Sequence, residues 1–471
     1  MQTRKDLYQA HRLMMQRLGM ALLQAEPDVP EPPMRRHTVA MFCGILIAVL
    51  VTAGFGIWGM LKPGNATKLT DPGQLLVEDE SGAKYVYSQQ EKKLLPVANY
   101  VSARLLLDTP DVKVRNVSAA SLANFDRGPL VGIPGAPDSL PAKDKLVKGP
   151  WSVCVGETTD TAGVGKTYVT LVGGMNVGGT PIGEGAMVVR DEQQQGWVIW
   201  GDQKMKVGSE GINALGATVV RKVPAAWINA IPDGSDFRFP SIPNRGAAVR
   251  GPDDRTRRIG QIFQTPGMAG GADRWYVLLK DGLSPITVTQ ATLLLNDAAS
   301  KKAYGSGRVV PITIDPATAN AALSKTSMLG GGLPTTMPKV ITPAANAPLC
   351  AVYADTQRGS TKATITSGAT ISIPVPPATG NQEQFDQIVM PNGGAAVVGL
   401  LPGEGQLRSV NTYYLVTEQN RRFPLQTGAQ VETLGYDATA VAPLPAPLLH
   451  MIPEGSRLDP AAAQAPVKVN Q

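Results

Sequence analysis

The sequence predicts one membrane-crossing helix near its N-terminus and, after it, a β-rich α+β ectodomain in which a central β-sheet core carries four degenerate repeat domains. Three observations predict this class. Between Arg36 and Lys62 the run VAMFCGILIAVLVTAGFGIWGML is 23 residues without a charge, and a helix of that length spans roughly 34 Å, enough to cross hydrocarbon. Fifty glycines and 39 prolines among 471 residues, with 43% hydrophobic content, point to many turns and short elements around several cores. Beyond the apolar run, an aromatic strand, a polar turn, a second short strand and a helix-like stretch recur in that order.

Ahead of the span, residues 3–25 read as a basic amphipathic helix. Leu7, Met14, Leu18 and Leu22 line one face, with Arg4, Lys5, Arg12 and Arg17 largely elsewhere. Such a face suits a groove on a cytoplasmic partner or an anionic inner leaflet. Pro27, Pro30, Pro32 and Pro33 then form a stiff spacer, so residues 1–34 make the inner segment and 35–62 the span. Arg4, Lys5, Arg12, Arg17, Arg35 and Arg36 precede the span, while only Lys62 and Lys68 follow it closely. This asymmetry sets the N-terminus in the cytoplasm and the rest of the chain outside. A cleaved signal peptide would place its apolar run nearer Met1 and follow it with a small-x-small site. The formal charge of +6 is spread thinly, without a Lys/Arg run interleaved with aromatics, which argues against a nucleic-acid-binding class.

The repeats are expected at 63–140, 186–245, 246–335 and 403–458. The first contains LLVEDESGAKYVYSQQEKKLLPVANYVSARLLL; the others contain WVIWGDQKMKVGSEGINALGA from Trp197, WYVLLKDGLSPITVTQATLLLND from Trp275 and YYLVTEQNRRFPLQTGAQVETLGYD from Tyr413. Two copies close on matching segments, PAAWINAIPDGS at Pro224 to Ser235 and PAPLLHMIPEGS at Pro445 to Ser456. Uneven spacing between copies argues against a solenoid. The intervening GPWSVCVGE, KTYVTLVGG, LCAVYAD, KATITSGATISIPVP and Gln387 to Leu401 are rich in β-branched residues, so 141–185 and 336–402 are expected to supply two parts of one central sheet. Residues 459–471 read as a flexible tail.

The cysteines divide by compartment: Cys43 lies in the span, Cys154 and Cys350 outside, where disulfides persist. Paired, the latter two would close a loop of almost 200 residues, worth on the order of 5 kcal/mol; two separate buried thiols are the alternative. The segment Gly163-Val164-Gly165-Lys166-Thr167 ends like a phosphate-binding loop, yet Asp160 stands where that loop needs its first glycine. His450 is the one histidine of the outer region and sits in the apolar run PLLHMI, which suits a structural histidine, and no G-x-S-x-G elbow accompanies it. The pairs Asp253-Asp254 and Glu78-Asp79-Glu80 fall in polar loops and read as solvated. No catalytic, metal-binding or cofactor-binding residue is assigned.

Several segments together resemble one family: SARLLL at Ser102 to Leu107, GPLVGIPGAP at Gly128 to Pro137, WSVC at Trp151 to Cys154, INAIP at Ile228 to Pro232, YVLLKDGL at Tyr276 to Leu283, PLC at Pro348 to Cys350 and YYLVTEQNRRFPL at Tyr413 to Leu425. With the basic helix and early span, they look like the EccB family, the membrane-anchored periplasmic component of the actinobacterial type VII (ESX) secretion machinery. The resemblance covers nearly the whole chain. It implies an elongated ectodomain, a Cys154–Cys350 disulfide, self-association through the ectodomain, and an inner-membrane complex with the motor ATPase EccC and with EccD and EccE. It also implies repeats similar to cell-wall-binding modules, and hence a contact with peptidoglycan. Some members carry an ATPase label, which the broken phosphate loop does not support. The family's polar, His-Asp-containing segment after the last repeat has no counterpart in MIPEGSRLDPAAAQAPVKVNQ.

The expected function is therefore that of a non-catalytic structural subunit, a periplasmic scaffold coupled to inner-membrane partners. Two other classes are distinguishable from it. An extracytoplasmic ATPase or wall hydrolase would need Lys166 or His450; a stand-alone wall-binding receptor would work without partners.

Overall fold

The computed structural model describes residues 4–24, 33–61, 66–159, 163–267, 270–376 and 383–468. These fall into two compact units. The first holds the helices Arg4–Gln24 and Pro33–Leu61 with residues 66–70, 76–83 and 115–126. The long helix begins at Pro33 itself, because proline's fixed φ and missing N–H suit a first helical position. The spacer therefore ends sooner than the sequence suggests; its other prolines lie outside the described residues. In the same unit the Asp79 N–H donates to the Val117 carbonyl (3.0 Å) and the Ala119 N–H to the Glu80 carboxylate (2.9 Å). The acidic run is thus used to tie a loop.

The second unit comprises residues 71–75, 84–114 and 127–468. Its centre is a six-stranded sheet in the order Gln387–Val389, Gly165–Gly173, Trp151–Thr159, Leu349–Tyr353, Thr364–Ser367 and Thr180–Pro181. Alternation along the strands covers both faces. Trp151, Val153, Val155 and Leu171 enter one core, while Cys154, Val172 and Cys350 pack with Val177 in another.

Three of the repeats are four-stranded sheets of one design: a three-stranded antiparallel meander, a short helix, and a fourth strand that returns parallel to the first. Repeat 2 uses Met187–Arg190, Gly196–Trp200, Gln203–Val207, the helix Ser209–Leu215 and Arg221–Lys222. Its central hairpin turns on Gly201 and Asp202, both at positive φ, as a two-residue turn matched to strand twist requires. Repeat 3 uses Ile262–Thr265, Arg274–Leu279, Gly282–Ile286, Val288–Asn296 and Ile312–Thr313. Repeat 4 uses Ala396–Leu401, Tyr413–Thr417, Arg421–Leu425, Ala429–Thr433 and Val441–Pro445. Repeat 1 has the same succession of elements, with its hairpin Lys84–Ser88 and Lys93–Val97 and its helix Tyr100–Leu107 in the second unit. In all four, the second residue of the third strand meets a trailing segment in a parallel bridge: Leu94 with Arg127, Lys204 with Asp233, Leu283 with Leu323, and Arg422 with Glu454.

The matching closing segments have a defined job. Their helices, Ala225–Asn229 and Ala446–His450, bury Trp227, Ile228, Leu448 and Leu449 in the same core as the central sheet. Each such side chain contributes about 1.5–3 kcal/mol. The Tyr353 hydroxyl donates to the Ala230 carbonyl, and the Phe385 N–H to the Met451 carbonyl at 3.0 Å. Repeats 2 and 4 are thereby fastened to the central sheet. Repeat 3 instead shares a core with repeat 2 through Val198, Met205, Phe237, Ile262, Val277 and Leu294. The helix of repeat 1 shares one with repeat 4 through Val101, Leu105, Leu415, Phe423 and Leu434.

Two further sequence expectations need correction. Ala396–Leu401, read as part of the central sheet, pairs with Tyr413–Thr417 and Val441–Pro445 and so opens repeat 4. Nearly the whole strand is buried, which erases the alternation that would have revealed its face. The stretch from Asp459, read as a flexible tail, is built into the fold as far as Val467. Asp459 caps the helix Pro460–Gln464 by accepting from the Ala462 N–H (2.8 Å), and Ala463 is buried in the core with Val101 and Leu105. Beyond it the Val467 N–H donates to the Leu130 carbonyl (2.8 Å). Residues 459–467 thus clasp repeat 1 against repeat 4. Ala463→Glu, which forces a charge into this joint, is expected to weaken it by about 3 kcal/mol. Hydrogen exchange should then accelerate in Tyr100–Leu107 and stay unchanged in Val288–Asn296; equal protection in both helices would contradict the clasp.

Candidate functional site

Within the long helix, His37–Met60 forms a 24-residue window in which no residue is buried. At 1.5 Å per residue it measures about 36 Å, longer than the roughly 30 Å of hydrocarbon. Its Thr52 hydroxyl donates to the Ala48 carbonyl at 2.8 Å, so it needs no partner outside the helix. Among the described residues this is the one helix long and apolar enough to cross a membrane.

On the helix Arg4–Gln24 the face read from the sequence is presented to solvent: Leu7, Met14, Leu18 and Leu22 are 56–80% exposed. Tyr8 and Met15, also exposed, flank this face on a seven-residue row that continues to Leu22. Their seven-residue separation is visible in the sequence. The apolar face of the helix is therefore wider than a single stripe.

The central sheet brings Cys154 and Cys350 together. Cys154 and Cys350 face each other across neighbouring antiparallel strands with Cα atoms 4.0 Å apart, joined as a disulfide. Both are buried against Val172 and Val177, which keeps dissolved thiols away from the sulfurs. Cys43 is a free, exposed cysteine on the long helix.

The remaining candidates are not gathered into a site. Lys166 and Thr167 stand on the strand Gly165–Gly173, opposite Thr158 and Glu157 in an antiparallel hairpin. A phosphate-binding loop joins a strand to a helix and aims successive N–H groups inward, so this segment is a hairpin end; Asp160 lies outside the described residues. His450 ends its helix exposed to solvent, contrary to the structural, apolar setting read from PLLHMI, because Leu448 and Leu449 take the buried face. Asp253 and Asp254 are each bound by an arginine of their own hairpin, Arg257 and Arg250. Hydrogen bonding to Arg257 holds the Asp253 carboxyl below its usual range. A carboxylate kept ionised in this way is unsuited to general acid work.

A family model described as "Type VII secretion system ESX-1, transport TM domain B" matches residues 1–468. The chain is 27% identical over 322 residues to the ESX-5 secretion system ATPase EccB5 of Mycobacterium tuberculosis, a match covering 65% of this chain and 60% of that protein. It is 26% identical over 465 residues to the ESX-2 secretion system ATPase EccB2 of the same species, covering 91% and 88%. Among solved structures, a chain of the intact ESX-5 inner membrane complex superposes with a TM-score of 0.64 at 24% identity, covering 100% of this chain and 96% of that one. The EccB3 dimer from the ESX-3 core complex gives 0.63 at 21% identity, covering 83% and 99%. These structures share the fold.

The word ATPase in the relatives' names makes Lys166 a useful probe. Full-length protein carrying Lys166→Ala is expected to match the parent in any ATP hydrolysis measured; loss of most of that activity would restore the hairpin as a nucleotide site.

Proposed function

Because the chain belongs to the EccB family of type VII secretion proteins, we propose that it is a structural subunit of a type VII inner-membrane complex, anchored by one span and contributing to the periplasmic scaffold. The observation that carries this reading is the match of nearly the whole chain to that family, joined to a 24-residue apolar helix with no buried residue. The excess of Arg and Lys before the span supports a cytoplasmic N-terminus. A disulfide between outer strands fits an oxidising compartment for the rest of the chain.

In this reading the apolar rows of the inner helix dock on subunits of the EccC, EccD and EccE kinds. The ectodomain self-associates, a reading supported by the EccB3 dimer known from the ESX-3 core complex. The scaffold works by position: apolar cores fasten the repeats to one another and to the central sheet, leaving the span and inner helix to engage partners. A direct contact with peptidoglycan is an alternative occupation for the repeats, and it predicts binding in the absence of any other subunit.

Extraction of tagged protein from its own membrane in mild detergent, with mass spectrometry of what accompanies it, tests the reading. An FtsK-like multidomain ATPase is expected among the partners and is expected to be lost when Leu7, Met14, Leu18 and Leu22 are all changed to serine. A parent protein that emerges alone from several detergents would contradict it.

A further inference from the structure

Positive charge outside the membrane is concentrated at one place. Residues 245–258 and 297–302 contain seven basic and three acidic side chains, a net +4, whereas residues 63–471 as a whole carry +3. The remainder of the ectodomain is therefore slightly acidic.

The two segments are neighbours in space. Arg245 is ion-paired with Asp297, the Arg258 guanidinium donates to the Gly246 carbonyl (2.9 Å), and the Gln261 amide donates to the Ala303 carbonyl (3.1 Å). Between residues 245 and 258 runs a two-stranded hairpin, Ala248–Arg250 with Thr256–Arg258, which has no counterpart among the described residues of the other repeats. All five of its flanking and internal cations are arginines. Arg257 is committed to structure, bound to Asp253 and stacked on the Phe263 ring at 5.9 Å. Arg250 and Arg255 pair with Asp254 (2.9 Å) and Asp253 (3.9 Å) at the surface, where their side chains remain 79% exposed. At the foot of the hairpin, on the seam of repeats 2 and 3, lies a cleft of about 890 Å³ lined by the cations Lys206, Arg238, Arg245 and Lys302 and by the acidic Glu210, Asp236 and Asp297. Arg238 and Arg245 are paired with Asp236 and Asp297, while Lys206 and Lys302 are in no ion pair among the described residues.

We propose that this arginine hairpin and the cleft below it form a docking surface for an acidic peptide segment of a partner protein. Arginine's planar fork matches carboxylates bidentately, which a flexible lysine does not. Glu210, Asp236, Asp253, Asp254 and Asp297 stand among the cations. They would repel a continuous line of phosphates, and discrete side-chain carboxylates can be placed between them, so the mixed pattern selects a peptide over a phosphodiester polymer or an anionic bilayer. The cleft volume lies within the range of sites that hold a small ligand or a few residues.

The test uses the full-length chain in detergent and reads fluorescence anisotropy of a labelled peptide of alternating glutamate and glycine. Its glutamine counterpart, inorganic polyphosphate and phosphatidylglycerol vesicles are the comparison probes. The glutamate peptide is expected to bind in a salt-sensitive manner, the glutamine peptide not. Neutralising Arg250, Arg255 and Lys302 together by glutamine, all exposed and so of small consequence for folding, should weaken binding about tenfold or more, about 1.4 kcal/mol. Arg358→Gln, an equally exposed arginine elsewhere, should leave it unchanged. The proposal is overturned by absence of binding, by equal binding of the two peptides, by an unaffected triple variant, or by preference for polyphosphate or vesicles. Because the readout is on the isolated chain, its failure leaves the secretion-subunit reading untouched.

Discussion

The pairing of Cys350 with Cys154 at facing positions of adjacent strands is the constraint on which the rest of the ectodomain depends. The two strands come from stretches 196 residues apart, and repeats 2 and 3 lie in the loop between them. Bringing them together costs loop entropy that apolar burial must offset. The cross-link removes part of that cost from the unfolded chain, on the order of 5 kcal/mol in the chain-entropy view. The sheet so formed ends in very short strands, Gln387–Val389 and Thr180–Pro181, which leaves little open edge for unwanted pairing.

From that sheet the architecture follows by attachment. The two closing helices bury Trp227 and Leu448 beside it, and the outer repeats then pack on the inner ones. The same device recurs at the trailing bridges of repeats 2 and 4. Lys204 lies over Trp197 and pairs with Asp233; Arg422 lies over Tyr414 and pairs with Glu454. These ion pairs are partly exposed and individually worth little. Their value is in fixing which segment lies beside the third strand.

Much of this was legible in the sequence because the relevant signals are local. The uncharged run announces the span, and PAAWINAIPDGS and PAPLLHMIPEGS announce two related repeats, although not that these segments are the fastenings. What was hidden depends on tertiary context. Ala396–Leu401 could not be assigned to repeat 4, since a strand buried on both faces shows no period. The Ala-rich helix Pro460–Gln464 has the composition of a frayed end, and only its fit against Tyr100–Leu107 orders it. The exposed setting of His450 was likewise decided by which neighbours took the buried face. RGPDDRTRR read as a polar loop, because its distance from Lys301 and Lys302 in sequence conceals their adjacency in space.

The central claim, a cross-linked scaffold standing in an oxidising compartment on one membrane anchor, is tested most directly by peptide mapping under non-reducing conditions. The full-length protein would be taken from its own membrane, with free thiols alkylated before lysis. The account predicts one linked pair, Cys154 with Cys350, and no disulfide at Cys43. Free thiols at both Cys154 and Cys350 would contradict it, removing at once the cross-linked centre and the outward placement of the chain.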